Sequence, residues 1–184
     1  MKPRGTDGSV TDEALLARFS GGDDSALGAL AERHESRLLG LALGLCRGNE
    51  SLAREAVQEA WVRVIRHARA FRGRSSFSTW VYRITINRCR DLNARERRAS
   101  RPVAASSSSP DARDSSGVQE VEWLQTVLDR LDERGRETVI LCHLRGMTHE
   151  QASAVLGIPV GTLKTRMRRA MRTLSDAAGS EAKR

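Results

Sequence analysis

One segment near the carboxyl end of the chain, THEQASAVLGIPVGTLKTRMRRAMRTL, is compatible with little other than two helices joined by a tight turn. Thr148 and Gln151 have the spacing of a capping box, which sets the start of the first helix. Gly157 suits the left-handed position that ends a helix, and Pro159 tolerates the opening of the next one. The pattern therefore predicts a helix-turn-helix over residues 148–174.

The second helix of this motif combines an apolar stripe with a basic face that contains no acid before Asp176. A helix-turn-helix places such a helix in the DNA major groove, where arginine recognises guanine and threonine contacts bases or a thymine methyl group. A solvated basic face on a helical hairpin is the alternative interpretation. The apolar stripe consists of Leu163, Met167, Ala170 and Leu174. The residues expected to contact an upstream DNA element are Gly161, Thr162, Lys164, Thr165, Arg168, Arg169 and Arg172.

Charge and composition limit the possible partners. The net charge of +8 and the pI near 10.6 favour a polyanion, either nucleic acid or an anionic membrane surface. The amino terminus, MKPRGTDGSV, lacks the apolar core of a signal peptide, and the longest nearly apolar run, 38–46, is too short to cross a membrane. We therefore expect a cytoplasmic protein.

The three widely spaced cysteines of the chain are expected to be reduced and buried, namely Cys46, Cys89 and Cys142.

Residues 99–117 are rich in serine, alanine and proline and show no apolar periodicity, which indicates a flexible linker. This linker divides the chain into two domains, at 11–98 and 118–176. Both domains show helical spacing of their apolar residues, and neither shows a sustained alternating pattern. The predicted fold is all-α, with two small helical domains joined by the linker and a helix-turn-helix in the second domain.

Four helices are predicted in the first domain. Thr11 can cap a short helix, and the GGDD sequence separates it from a second helix that ends near an RGN sequence. A third helix is expected at 52–68, and a basic FRGRSS loop at 71–76 precedes a fourth helix at 77–98. The second domain is expected to begin with helices at 118–131 and 134–144.

The segment FRGRSSFSTWVYRITINRCR is the second informative region. Its helix is apolar around most of its circumference, which predicts burial on several sides. Basic residues beside aromatic ones suit single-stranded nucleic acid, because bases stack on rings while cations follow the backbone. The alternative is that Phe77 and Trp80 belong only to the core. One polar stripe remains on the helix, formed by Thr79, Arg83, Asn87 and Arg90. The residues expected to contact a downstream DNA element are Arg72, Arg74, Ser75, Ser76, Thr79, Trp80, Arg83, Asn87 and Arg90.

Two segments resemble conserved regions of bacterial sigma factors. FSTWVYRITINRCRD is similar to the second conserved region, and LDRLDERGRETVILCHLRGMTHEQASAVLGIPVGTLKTRMRRAMRTL is similar to the fourth. Their succession, with only a short linker between them, resembles the extracytoplasmic-function subgroup. The resemblance implies a subunit that binds core RNA polymerase, directs it to promoter DNA and helps to melt that DNA. The helix-turn-helix would read the minus-thirty-five element, and the loop and helix after Phe71 would recognise the minus-ten element and capture an extruded base.

The resemblance also assigns the third helix to docking on the polymerase. The residues that it implies are Leu52, Glu55, Val57, Gln58, Glu59 and Trp61. The alternative is a solvated face in which Glu55 and Glu59 pair with Arg63 on the same helix. Regulation by an anti-sigma factor is a further implication of the resemblance.

The sequence contains no recognisable catalytic or metal-binding motif. None of the four histidines has a second ligand at metal-site spacing, and FRGRSS lacks the spacing and the lysine-serine ending of a phosphate-binding loop. We expect no cofactor, no metal and no enzymatic activity, with catalysis left to the polymerase. Two other functions stay open at this point: a free-standing helix-turn-helix transcriptional regulator, and an adaptor whose basic faces bind an acidic protein.

Overall fold

The structure, a computed structural model, describes residues 10–99 and 125–181. Every regular element in these ranges is helical, which confirms the predicted all-α fold. None of these helices combines the length and the apolarity needed to cross a membrane. Ala99, the first residue of the predicted linker, is the last residue of a helix. The rest of that linker and the first part of the helix predicted at 118–131 lie outside the described residues.

The first domain contains the four predicted helices, and side chains cap their starts. The Thr11 hydroxyl accepts a hydrogen bond from the Ala14 amide at 3.2 Å, and the Asn49 side chain accepts one from the Leu52 amide at 3.1 Å. Such caps satisfy amide groups that the first turn of a helix leaves unpaired. The helices are α1 (Asp12–Ser20), α2 (Asp24–Leu45), α3 (Glu50–His67) and α4 (Phe77–Ala99), with a single 3-10 turn at Ala68–Ala70 after α3.

The second domain begins, in the part that the structure describes, with helical residues 125–129. The side chain of Asp132 then accepts a hydrogen bond from the Gly135 amide at 2.7 Å and starts the next helix. The helix predicted at 134–144 is present, but its last five residues wind more widely than an α-helix. The helices are α5 (Glu133–Val139, continued by the π-helical Ile140–Leu144), α6 (His149–Leu156) and α7 (Val160–Glu181).

Each domain buries the apolar faces of its helices. In the first domain α4 packs on α2 and α3, and it is buried on several sides, as its apolar circumference predicts. In the second domain α7 packs its apolar stripe on α5 and α6. The buried residues of α4 are Phe77, Val81, Tyr82, Thr85, Ile86, Cys89 and Leu92.

The two domains also pack against one another, an arrangement that the sequence does not predict. The segment from α5 through its π-helical extension contacts α2, and α6 contacts α4. Two glycines of α2 lie at this boundary, four residues apart. A methyl group on Gly44 would lie 2.9 Å from Cδ1 of Ile140, and one on Gly40 would overlap the guanidinium of Arg145. The absence of side chains at these two positions therefore allows the close approach of the second domain.

Candidate nucleic-acid interface

The helix-turn-helix is formed by α6 and α7, as predicted. The Thr148 hydroxyl accepts a hydrogen bond from the Gln151 amide at 3.2 Å, and Oε1 of Gln151 accepts one from the Thr148 amide at 3.0 Å, which completes the capping box. Gly157 ends α6 in the left-handed conformation, with a φ of 67°. The Ile158 amide then donates to the Ser153 carbonyl at 3.1 Å. This sharp turn sets the direction in which α7 leaves α6.

Helix α7 presents opposite faces to the core and to solvent. Leu163 and Ala170 are buried, and Met167 and Leu174 pack half-buried against the core. Within residues 10–99 and 125–177, no basic residue of α7 forms an ion pair with a carboxylate within 4.0 Å. All the residues predicted to contact the upstream element are exposed, namely Gly161, Thr162, Lys164, Thr165, Arg168, Arg169 and Arg172.

The serine-rich end of the 71–76 loop forms the amino-terminal cap of α4. Oγ of Ser76 accepts a hydrogen bond from the Thr79 amide at 3.2 Å and donates one to Oγ1 of Thr79 at 2.9 Å. Oε1 of Glu13 accepts a hydrogen bond from the Phe77 amide at 2.8 Å and so ties α1 to the start of α4. Ser75 is half-buried. Two members of the predicted downstream set, Ser76 and Thr79, therefore stabilise the helix start as well.

Exposed cations lie beside an aromatic cluster at the start of α4. Arg72 and Arg74 are exposed, and Trp80 is half-buried. The Trp80 ring centroid lies 5.0 Å from that of Phe71 and 6.1 Å from that of Phe77. Phe77 is fully buried, so the core interpretation holds for that ring. Trp80, in contrast, keeps part of its surface exposed close to the basic loop.

Arg83, in the middle of the polar stripe, is bound to the second domain. Its Nε donates to the carbonyl oxygen of Val155 at 3.3 Å, and its Nη2 donates to the carbonyl oxygen of Ala154. Both carbonyls belong to the last turn of α6, where a helix has unpaired acceptors and a partial negative charge. The polar stripe is therefore assembled as predicted, but it contacts protein at this point.

Arg90, at the end of the polar stripe, pairs with a glutamate of α5. Its Nε and Nη2 lie 2.5 and 2.7 Å from the two carboxylate oxygens of Glu137, whose side chain is only 2 % exposed. Nη1 of Arg90 also donates to Oδ1 of Asn87 at 3.2 Å. The hydrogen bonds to Glu137 raise the pKa of Arg90 above its ordinary value. Sequence reasoning missed Glu137, because no local pattern marks a pairing between residues 47 positions apart.

Helix α3 exposes part of the predicted docking set. Glu55 and Gln58 are exposed, whereas Val57 is 5 % exposed and packs in the core, so its side chain offers no docking surface. Val62 and Ile65, which the docking prediction omitted, are 36 % and 47 % exposed. These four exposed residues follow one another at intervals of three, four and three positions, which places them on one face of the helix. They are Glu55, Gln58, Val62 and Ile65. The remaining predicted residues, Leu52, Glu59 and Trp61, are half-buried.

Two glutamates of α3, Glu55 and Glu59, pair with arginines of α4. The carboxylate of Glu59 lies 2.6 Å from Nη2 of Arg88, and that of Glu55 lies 3.9 Å from Nη1 of Arg95. The alternative pairing of both glutamates with Arg63 on the same helix is not what the structure shows. These ion pairs join the predicted docking helix to the helix that carries the polar stripe.

The three cysteines form no disulfide. Cys46 and Cys89 are buried, Cys142 is half-buried, and all three are free thiols. Burial raises the pKa of the Cys142 thiol. In the part of the chain that the structure describes, no group of three or more His, Cys, Asp or Glu side chains is arranged to hold a metal ion.

Comparison with known proteins matches both domains to one class of transcription protein. Residues 30–99 match Sigma-70 region 2, and residues 121–174 match Sigma-70 region 4. The ECF RNA polymerase sigma-E factor of Haemophilus influenzae is 29% identical over 175 residues, which cover 88% of this chain and 92% of that relative. The RNA polymerase sigma-H factor of Pseudomonas aeruginosa is 28% identical over 183 residues, covering 90% of this chain and 93% of the relative.

Solved structures give the same result. CnrH in complex with the cytosolic domain of CnrY matches with a TM-score of 0.73 and 28% identity, over 92% of this chain and 97% of CnrH. The sigma factor RpoE in complex with the anti-sigma factor NepR from Bartonella quintana matches with a TM-score of 0.60 and 25% identity, over 77% of this chain and 89% of RpoE. With a region 2 domain, a region 4 helix-turn-helix domain and relatives of this kind along nearly its whole length, the chain belongs to the two-domain, extracytoplasmic-function sigma factors of bacterial RNA polymerase.

Proposed function

We propose that this sigma factor recruits core RNA polymerase to promoters through the residues identified above, and that it contacts two separate DNA elements. The observation that carries the proposal is the exposed face of α7, whose cations form no close ion pair within residues 10–99 and 125–177, while the opposite side of the helix is buried. Such a face, following a tight turn, has the shape and charge that suit the major groove. Its phosphate contacts would add affinity by releasing counterions from the DNA.

The first three turns of α7 are the proposed readers of the upstream element. Oγ1 of Thr165 donates to the Gly161 carbonyl at 3.0 Å, so the hydroxyl keeps an acceptor and the side chain keeps its methyl group for a base. Arg168 and Arg169 are the proposed guanine readers, because a guanidinium can donate two parallel hydrogen bonds to that base. Arg172 lies one turn further along and is the proposed phosphate contact.

The loop at 71–76 and the start of α4 are the proposed downstream contact. Arg72 and Arg74 are exposed and would follow the backbone of the separated strand. The exposed part of Trp80 offers a surface on which a base can stack. Extruding a base costs a few kcal/mol, and stacking on an aromatic ring is worth about 1–3 kcal/mol per base, so one ring offsets much of the cost.

The face of α3 formed by Glu55, Gln58, Val62 and Ile65 is the proposed docking surface for the polymerase. It combines two exposed apolar side chains with polar neighbours, as the contact regions of protein interfaces do.

We propose that the protein itself catalyses no reaction and needs no cofactor, since the polymerase performs the chemistry. Its place of action would be the cytoplasm, where the polymerase works.

A protein that holds this sigma factor inactive is the proposed regulator. The support is the similarity to RpoE, which was solved in complex with the anti-sigma factor NepR. An anti-sigma factor would act by covering a DNA-facing or polymerase-facing surface of one or both domains.

Reconstitution with purified core polymerase tests the proposal. The protein is mixed with the polymerase and with genomic DNA of the organism that encodes it, and the transcript starts are sequenced. We expect new start sites that share two upstream sequence elements. The double variant Arg168→Ala/Arg169→Ala should lose these starts, whereas Arg37→Ala, an exposed arginine of α2, should retain them.

The absence of both polymerase binding and new start sites would contradict the proposed function. Tight, sequence-specific DNA binding by the protein alone would instead indicate a free-standing transcriptional regulator. Binding that ignores DNA sequence and is little weakened by salt would favour the adaptor, because a DNA reader loses affinity steeply as salt rises.

A further inference from the structure

We infer that Glu13 of α1 is a positioning residue for promoter opening, because it holds the start of α4, and with it the 71–76 loop, in place for single-stranded DNA. The inference rests on the proposed function, since this loop is the proposed contact for the downstream element. Neither Glu13 nor any other residue of α1 belongs to the two segments that resemble conserved regions of sigma factors. Contacts of α1 with both ends of the loop carry the inference.

The first turn of α4 contains no acidic residue of its own. A helix leaves its first amides without partners inside the helix and carries a partial positive charge at that end. Oγ of Ser76 accepts a hydrogen bond from the Thr79 amide and so satisfies one of these donors. Oε1 of Glu13 accepts one from the Phe77 amide at 2.8 Å, across 64 positions of the chain. Glu13 therefore supplies, from another helix, an acceptor and a negative charge to the start of α4.

The ring of Phe77 is held as well as its amide. Phe77 is fully buried, and its ring centroid lies 5.2 Å from that of His34 in α2, in an edge-to-face arrangement. Nε2 of His34 in turn lies 2.6 Å from Oδ2 of Asp12, the residue before Glu13. Adjacent carboxylates of α1 thus act on one residue of α4, directly on its backbone and through His34 on its side chain.

Helix α1 also contacts the other end of the loop. It packs against the 3-10 turn at Ala68–Ala70, which ends directly before Phe71. The buried side chains of Leu15 and Leu16 anchor α1 itself in the core of the first domain. Because α1 holds the chain on either side of the 71–76 loop, it fixes the two points from which the exposed arginines of the loop project.

An acidic residue in the first turn of a helix usually serves only that helix, by offsetting its positive amino end. Glu13 has a second role here, because its carboxylate accepts a hydrogen bond from α4. Glu13 is also an exposed residue, so its truncation leaves no cavity in the core. An effect on DNA opening can therefore be separated from a loss of the fold.

The consequence for DNA concerns strand opening and not the first encounter. A loop whose ends are already fixed loses less freedom when it closes on an extruded base, and such preorganisation favours the bound form. Trp80, the proposed stacking surface, follows Phe77 by three residues, and the two ring centroids are 6.1 Å apart. Displacement of Phe77 would move the stacking ring relative to the cations of the loop. The upstream contact and the polymerase docking surface lie on α7 and α3 and should not depend on Glu13.

Amide hydrogen exchange followed by NMR tests the hydrogen bond itself. The Phe77 amide should exchange at least about tenfold faster in Glu13→Ala than in the unmodified protein, because its acceptor is lost. In Glu13→Gln the side-chain oxygen can still accept, so most of the protection should remain. Glu35→Ala removes an exposed glutamate of α2 and should leave the exchange of Phe77 unchanged. Equal exchange of Phe77 in Glu13→Ala and Glu35→Ala would contradict the hold of α1 on α4.

A second experiment measures strand opening by the complex with core polymerase, on a promoter identified in the reconstitution. It is carried out at a temperature at which circular dichroism shows every variant to be folded. Permanganate reactivity of thymines reports opening, and binding to a duplex that lacks the downstream element reports the other contacts. Glu13→Ala should lower the opened fraction at least about fivefold relative to Glu35→Ala, with less than about twofold change in polymerase binding and duplex binding. Glu13→Gln should restore most of the opening.

Three results would overturn the positioning role. One is equal opening by Glu13→Ala and Glu35→Ala. Another is an equal loss in Glu13→Ala and Glu13→Gln, since the glutamine keeps the acceptor. The third is a loss of polymerase binding that parallels the loss of opening, because it would reveal a general structural effect.

A failure of the proposed function has a different signature. In that case the unmodified protein opens no promoter with core polymerase. Binding of a fluorescein-labelled, mixed-sequence single-stranded oligonucleotide by the protein alone then tests the loop. Weaker binding by Glu13→Ala than by Glu35→Ala would support the positioning of the loop without the proposed function, and equal binding would rule it out.

Discussion

Arg88 of α4 lies 2.6 Å from the carboxylate of Glu59 in α3, and the same guanidinium donates to Asp91 at 3.1 Å. The Arg88 side chain is only 11 % exposed. The pair therefore joins the helix proposed to dock on the polymerase to the helix proposed to meet the downstream DNA. Because Arg88 is largely shielded from water, the pair should stabilise the fold more than an exposed ion pair does. Glu59 thus has a structural role that is independent of any partner.

Glu59→Gln is expected to lower the free energy of unfolding by about 1–2 kcal/mol, since it removes the charged partner of a shielded arginine. Glu55→Gln is the control, because the partner of Glu55, Arg95, is 69% exposed and lies 3.9 Å away. It should change the same quantity by less than about 0.5 kcal/mol. Urea unfolding followed by circular dichroism measures both variants. Equal losses at the two positions would contradict the structural role of Glu59.

Arg169→Ala is expected to weaken promoter binding by the polymerase complex by about 1–3 kcal/mol and to relax the preference at one upstream base pair. The reason is that an exposed arginine in the first turns of α7 can donate two hydrogen bonds to one guanine. Competition binding against a library of single-base promoter variants measures the effect. Arg37→Ala removes the same charge from α2 and should leave the base preference unchanged.

Arg172→Ala serves as the contrast to Arg169→Ala. As a phosphate contact, Arg172 should affect all promoter sequences about equally, and its loss should reduce the slope of log affinity against log salt by about one. Salt titrations of the two variants distinguish the roles. A uniform loss for Arg169→Ala would reassign that residue to the phosphates, and a base-specific loss for Arg172→Ala would reassign Arg172 to base reading.

Local signals explain why much of the fold was predictable. Thr11 and the pair Thr148 and Gln151 act through hydrogen bonds to amides within three residues, so their effect is visible in the spacing alone. Gly157 acts through its own backbone dihedral. The exposed face of α7 was predictable for a similar reason, because helical periodicity separates its buried stripe from its basic side.

Contacts between distant positions explain what was not predictable. Arg90 and Glu137 are 47 positions apart, and neither residue differs in type from a solvated neighbour on its own helix. The close approach of Ile140 to Gly44 depends on how the two domains are arranged, and helical periodicity does not predict that arrangement. Val57 was assigned to the docking face by resemblance, but its position on α3 turns it toward the core. The arrangement of the domains therefore required three-dimensional information.

Leu163→Ala is expected to destabilise the second domain by about 2–5 kcal/mol. The Leu163 side chain lies on the inner face of α7 and is fully buried, so its loss leaves a cavity. Met171→Ala, at a side chain of the same helix that is 44 % exposed, should cost less than about 0.5 kcal/mol. Thermal unfolding monitored by circular dichroism measures both changes. An unchanged melting temperature for Leu163→Ala would remove Leu163 from the core of the motif.

Gly157→Ala and Gly28→Ala add the same methyl group and are expected to change stability in opposite directions. Neither added Cβ has an atom within 4 Å, so packing contributes little at either position. Gly157 has a φ of 67°, where an L-residue is strained, and the substitution should destabilise the protein by about 1–2 kcal/mol. Gly28 lies within α2, where alanine is favoured over glycine by up to about 1 kcal/mol. Chemical unfolding of the two variants gives the signs directly, and a stabilising Gly157→Ala would show that the turn between α6 and α7 does not need the left-handed conformation.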